Sequence, residues 1–199
     1  MLILALLALS LSSQEPFDSR VLVGRLESQR VDLHIPGLAL AVVRDGKLIF
    51  AEGFGSADME SGRAANADTL FGIGSTTKAF TSTLIGMLVD EERMGWDDPV
   101  LKHLPEYRLA PRDGTAEDVT VRDLLCHRTG FTRMGALWAA GRASSERVRA
   151  QATHAEPWDG FRKNFHYNNV MFLAAGSTAA VAGGAPWSEQ IHARILKPL

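Results

Sequence analysis

Only one strand pair can be read in the 199 residues, and it constrains the fold more than anything else. Two apolar runs, Leu38–Val43 and Lys47–Ala51, flank Arg44-Asp45-Gly46. Asp-Gly between such runs is a strong hairpin signal, because both residues tolerate the positive φ of a tight turn. A lone hairpin is marginal in water and needs further strands or covering helices. Nearly everything downstream has helical periodicity. The pattern therefore predicts an α/β (α+β) chain: an antiparallel sheet flanked by helices, with an all-helical region over roughly 57–185 and only the first two strands present.

Helices are predicted in several places. Phe17–Val31 carries Val21, Leu22, Leu26 and Val31 on one face. From Ser75, Phe80, Leu84, Met87 and Leu88 share a face until Gly95 and Pro99 stop the helix. Val119–Leu125 opens with Thr120 three residues before Asp123, the pattern of a capping box. Residues 141–166 are charged, with scattered aromatics, and support no assignment. Asn168–Ala182 is apolar nearly all round, as a buried helix would be, and Pro186–Leu196 forms a last helix. The chain stops at Lys197-Pro198-Leu199 directly after it, so the sequence reads as the front part of something larger.

Residues 2–9, LILALLAL, fit the apolar core of a secretory signal peptide and fall well short of a membrane span. Residues 1–13 are thus expected to be a signal peptide, the folded domain to occupy 17–199, and the protein to be periplasmic or secreted. The net charge of −2 gives no electrostatic reason for a nucleic-acid or anionic-lipid partner. One cysteine, Cys126, excludes an internal disulfide and multi-cysteine metal sites, and is expected to fill a small core position. The six histidines lack metal-binding spacing, so neither a metal nor another cofactor is expected. His127 is expected to be a structural hydrogen-bonding residue. Trp138, Trp158 and Trp187 are expected to fill the core in preference to lining a cleft.

Two motifs carry chemistry. In Ser75-Thr76-Thr77-Lys78, a serine at a helix start lies beside unpaired backbone N–H groups, with a lysine one turn on. This is what an activated nucleophile requires, although an N-cap serine followed by a solvated lysine has the same pattern. With 13 Ser and 5 Lys in the chain, about 0.3 such spacings arise by chance. Tyr167-Asn168-Asn169 is rarer. A tyrosine near an ammonium can act as a base, and an asparagine amide can orient a lysine or a substrate carbonyl. A half-buried tyrosine beside an asparagine cap would read the same.

In this order the two motifs resemble the serine β-lactamase and penicillin-binding-protein superfamily, and the Tyr-x-Asn form resembles class C β-lactamases and their esterase and peptidase relatives. Ile35-Pro36-Gly37 through Phe54-Gly55, Phe71-Gly72-Ile73-Gly74, and Leu124-Leu125-Cys126-His127-Arg128-Thr129-Gly130-Phe131 are similar to family segments. The resemblance implies that Ser75 is the acylated nucleophile and Lys78 assists proton transfer. It makes Tyr167 the base, has Asn169 bind Lys78 and substrate, and has the Ser75 N–H supply half of an oxyanion hole. It implies acyl-enzyme hydrolysis of an amide or ester of a small molecule or peptide, in the β-lactam, D-amino-acid peptide or ester class. A true class C β-lactamase, a D-Ala-D-Ala carboxypeptidase, or an inactive binding homologue are the other readings. No Lys-Ser/Thr-Gly or His-x-Gly follows Tyr167, so the family's third motif is missing from this stretch and activity of the chain alone is doubtful.

Overall fold

The computed structural model describes residues 18–199; the expected signal peptide lies outside the described residues. The chain divides into two compact units, one ending at Gly72 and the other spanning Ile73–Leu199.

In the first unit, α1 (Ser19–Asp32) is started by Asp18, whose carboxylate accepts from the Arg20 N–H at 2.9 Å. It forms where the apolar periodicity places it but buries no residue, and Val21 and Val31 remain 55% exposed. Arg30 fastens its end to the following turn by donating to the Ile35 carbonyl at 2.9 Å. Strands β1 (Gly37–Arg44) and β2 (Lys47–Asp58) pair antiparallel from Gly37↔Gly55 to Arg44↔Lys47, with an irregularity at Val42/Val43. The turn residues Asp45 and Gly46 have φ of 50° and 71°, both left-handed, as the hairpin signal requires.

Two expectations about the sheet are corrected. β2 runs on to Asp58, and a third short strand, β3 (Arg63–Ala64), adds to it in the order β1-β2-β3. The helical region therefore does not begin at 57. β3 was illegible because two residues, one of them arginine, show no alternation of apolar and polar positions.

The second unit is helical. A single 3-10 turn, Gly74–Thr76, leads into α2 (Thr77–Asp90), which buries Thr81, Leu84, Ile85 and Leu88. The helix ends before the expected Gly95, because Glu92 takes a left-handed φ of 58°. Then come α3 (Val100–His103), α4 (Val121–Leu125), α5 (Gly135–Trp138), α6 (Ser145–Ala152), α7 (Asn169–Gly183) and α8 (Trp187–Ile191). α4 starts at Val121, two residues later than its sequence signal. The Thr120 hydroxyl there accepts from the Asp123 N–H, and the Asp123 carboxylate accepts from the Thr120 N–H at 2.9 Å. Helix α6 partly fills the stretch, 141–166, that supported no assignment, and α5 lies just before it. α6 buries only Val148 and Ala152, one turn apart, so its charged surface concealed it. The segment His192–Leu196, expected to be regular helix, winds as a π-helix.

α7 organises this unit. Val170, Met171, Ala174, Ala175 and Ala179 are buried to 1% exposure or less, and the small alanines among them let α2, α4, α6 and α8 pack against α7. Among the described residues no single helix is long and apolar enough to cross a membrane.

Candidate active site

Ser75 lies in the 3-10 turn before α2, preceded by Gly74 with a left-handed φ of 52°. That turn presents the serine at the start of the helix, where backbone N–H groups lack intrahelical acceptors and the dipole favours negative charge. Lys78, one turn on, donates to Ser75 Oγ at 3.2 Å. Both residues come from one short segment, and helical geometry alone brings them together.

Tyr167 and Asn169 arrive from the start of α7. The intervening Asn168 is fully buried and caps the helix, its side-chain oxygen accepting from the Val170 N–H at 2.8 Å. Extended backbone at Asn168 places Tyr167 just outside the helix and Asn169 in its first turn, so both face α2. Asn169 Oδ1 accepts from Lys78 Nζ at 2.7 Å, and Tyr167 Oη lies 2.6 Å from Ser75 Oγ. The four residues of the two sequence motifs thus form one hydrogen-bonded group.

The charge around Tyr167 is positive. Lys78 Nζ lies 4.7 Å from its ring centroid and the Arg133 guanidinium carbon 5.2 Å. Hydrogen bonding from Lys78 and then from Ser75, with the positive charges of Lys78 and Arg133, holds the phenol below its ordinary value near 10. Its phenolate is accordingly easier to form than that of a free tyrosine.

His127 supports Tyr167. Its ring is buried, tilted against Tyr167 at 4.7 Å between centroids, and also touches Phe165 and Phe172. Its Nδ1 accepts the Asn168 N–H at 3.0 Å, so the other nitrogen carries the proton. Burial, and then the nearby Lys78 charge, push its pKa down, which keeps it neutral. A structural hydrogen-bonding role is what this geometry provides.

Farther out, the carboxylate of Asp123 is fully buried and accepts from Arg128 at 2.5 Å and from Arg162 at 2.9 and 2.8 Å. Burial raises its pKa, but Arg162, Thr120 and Arg128 outweigh that and hold it below the ordinary carboxylate range. This ties the segment after α4 to the one that leads into Tyr167.

A cavity of about 680 Å³ opens beside Ser75, lined by Ser75, Lys78 and Asn169 together with Phe172, Leu173 and Trp187. Trp187 therefore lines a cleft instead of merely filling the core, its indole N–H donating to Thr81 Oγ1 at 3.2 Å. Trp158 does neither, being 71% exposed, and Trp138, at 39%, donates to the Arg133 carbonyl. Cys126 is exposed, contrary to expectation, because it follows α4 as its C-cap, where the helix leaves the core. Sequence reasoning missed Arg133 and Phe172. Phe172 was findable, being one turn beyond Asn169 on α7, whereas Arg133 lies in a loop without periodicity.

Comparison with known proteins identifies the family to which the chain and its fold belong. The family model described as Beta-lactamase matches residues 23–199. The unguisins hydrolase ungD of Aspergillus violaceofuscus is 32% identical over 173 residues, covering 83% of this chain and 30% of that protein. An octameric penicillin-binding protein homologue from Pyrococcus abyssi superimposes with a TM-score of 0.80 at 29% identity, over 92% of this chain and 43% of that one. The D-amino acid amidase of Ochrobactrum anthropi does so with 0.72 at 25% identity, over 91% and 49%. The chain spans about a third of the length of the curated relatives it matches and about half of these solved structures. With its fold and nearly all of its length matched, the chain belongs to the β-lactamase family, whose fold is shared by serine hydrolases that include amidases and penicillin-binding proteins.

Proposed function

We propose that the protein carrying this chain is a serine hydrolase that cleaves an amide or ester through an acyl-enzyme at Ser75. The observation that carries this reading is the contact between Ser75 Oγ and both Tyr167 Oη, at 2.6 Å, and Lys78 Nζ, at 3.2 Å. A nucleophile within hydrogen-bond reach of its base, with a cation stabilising that base, is the minimum apparatus for acyl transfer.

The steps follow from the contacts. Tyr167, as phenolate beside the Lys78 ammonium, takes the Ser75 hydroxyl proton while Oγ bonds to the substrate carbonyl carbon. The oxyanion so formed is stabilised by the Ser75 backbone N–H at the helix start, a kind of donor worth about 2.7–4 kcal/mol. The intermediate collapses, the leaving amine or alcohol takes the proton from Tyr167, and Ser75 is left as an ester. Water then attacks that ester, Tyr167 accepts the water's proton, and the proton returns to Ser75 as the acid departs. Asn169 holds Lys78 in place throughout and offers its amide N–H to the substrate carbonyl.

Within that class we favour amides. A D-amino acid amidase at 25% identity supports an amino-acid amide as substrate. We also place the protein in the periplasm or outside the cell, on the strength of the apolar run at residues 2–9. The test of function is labelling with a fluorescent fluorophosphonate or penicillin, with peptide mapping of the modified residue. A single adduct on Ser75, lost in Ser75→Ala, is the expected result; labelling that persists in that variant refutes the assignment.

A further inference from the structure

Arg133 is exposed, and its guanidinium lies 5.2 Å from the Tyr167 ring centroid. It makes no ion pair among the described residues, unlike Arg122, Arg128 and Arg162, each of which is held by a carboxylate. Among the described residues, none of those lining the cavity beside Ser75 is acidic.

The backbone that carries Arg133 is fastened on both sides. Phe131, two residues before it, is 1% exposed, and the Thr132 carbonyl accepts from the side chain of buried Asn168. The Arg133 carbonyl accepts the Trp138 indole N–H at 3.3 Å. Gly130, with φ of 83°, passes so close to Asp159 that a Cβ there would lie 2.5 Å from its carbonyl oxygen. Asn168 thus anchors both the Arg133 loop and the helix that presents Asn169. The backbone beneath a guanidinium without an ion pair is thus fastened, and that guanidinium stands 5.2 Å from the ring of Tyr167, whose oxygen lies 2.6 Å from Ser75 Oγ.

We propose that Arg133 is a specificity-determining residue that reads a carboxylate on the substrate close to the scissile bond, a role that rests on Ser75 being the nucleophile. The planar guanidinium suits a carboxylate because it can donate two parallel hydrogen bonds, which an ammonium cannot match. Arg133 stands outside the cavity lining, over the Tyr167 ring, so a substrate carboxylate on the Tyr167 side of Ser75 meets positive charge from both Arg133 and Lys78. The preferred substrates are therefore acidic amides or esters, such as half-esters of dicarboxylic acids or peptides with a carboxylate beside the cleaved bond.

The experiment compares matched neutral and anionic esters, because their ratio cancels whatever Arg133 does through Tyr167. On the acyl side, 4-nitrophenyl butyrate is paired with mono-4-nitrophenyl glutarate. On the leaving-group side, phenyl acetate is paired with 4-carboxyphenyl acetate. The rate of Ser75 acylation is measured in this chain and in any longer product that contains it. In Arg133→Gln the anionic-to-neutral ratio is expected to fall about tenfold for at least one pair, with Arg133→Glu falling further and Arg133→Lys falling less. A fall of less than threefold in both pairs overturns the proposal. Calorimetric binding of glutarate monoethyl ester gives a readout that needs no turnover. It should weaken about tenfold in Arg133→Gln, and equal affinity overturns the role of Arg133 even if Ser75 is never acylated. Failure of Ser75 to label with fluorophosphonate, by contrast, counts against the hydrolase reading alone.

Discussion

Ser75 Oγ and Tyr167 Oη lie 2.6 Å apart although 92 residues separate them in the chain. Nothing local holds them together. Ser75 is set by the turn before α2 and Tyr167 by the Asn168 cap of α7, and the two helices meet through a buried core. The acyl transfer proposed at Ser75 thus depends on the packing of α2 against α7 as much as on the identity of the groups brought together.

The ionisation of Tyr167 gives a direct test. Because its pKa is lowered, the rate of Ser75 acylation should rise with pH through a value below the ordinary 10 and then level off. Tyr167→Phe should remove that rise and slow acylation by about 100-fold or more, the lower end of a general-base effect. Lys78→Ala should slow it at least as much, since it removes the first cause of the lowered value. An unchanged pH profile in Tyr167→Phe would assign the proton transfer to another group.

His127 should link stability to pH. Its neutral form is favoured by burial, so its folded pKa is below the value of about 6.5 that it takes when unfolded. Below that pH the unfolded chain binds the extra proton and the folded one does not, so stability falls as the pH drops from 6.5 toward the folded value. His127→Gln should flatten this dependence in denaturant titrations between pH 5 and 7. It should also slow acylation, because Tyr167 loses the ring that packs against it at 4.7 Å.

How much of this was legible in the sequence depends on the distance over which each feature is determined. Ser75 and Lys78 are three apart across the 3-10 turn and the start of α2, so the sequence placed them together. Asp45-Gly46 dictated its own turn, and Asn168 its own cap. Arg133 was invisible because only the fold stands it over Tyr167, in a loop whose position is fixed by Phe131 and Asn168. Trp187 misled for a related reason: an aromatic residue at a helix start looks alike whether its free face meets core or cleft. Cys126 misled because apolar neighbours at Leu124 and Leu125 suggest burial, yet the helix ends there and turns the thiol outward.

The wall of the cavity should respond to a single methyl group. A Cβ at Gly176 would lie 3.3 Å from Trp187 Cδ1, so the indole must give by a few tenths of an ångström. Its hydrogen bond to Thr81 resists that movement. Gly176→Ala should therefore lower stability by about 1 kcal/mol, as overpacking does, despite its better helix propensity. Pairing it with Trp187→Phe, which removes the hydrogen bond, should recover part of the loss in a thermal melt. A stabilised Gly176→Ala would mean that the indole is not fixed.

Asp123 should be the more costly loss. Its buried carboxylate joins Thr120, Arg128 and Arg162, and so holds the start of α4 to both segments that flank the site. Removing charged hydrogen bonds of this kind costs about 1.5–3 kcal/mol each, although Arg128 and Arg162 are partly exposed and can turn to water. Asp123→Ala is therefore expected to destabilise by about 3 kcal/mol, and Asp123→Asn by less, because its side-chain oxygen still accepts from Thr120. The carboxyl is held below its ordinary value, so its contribution is complete above about pH 4 and is lost as the pH falls through the lower folded value. Acid titrations of the wild type and of Asp123→Asn should accordingly converge below pH 4 and separate above it. A constant difference across that range would mean that the carboxylate's charge contributes nothing and that only its hydrogen-bonding shape matters.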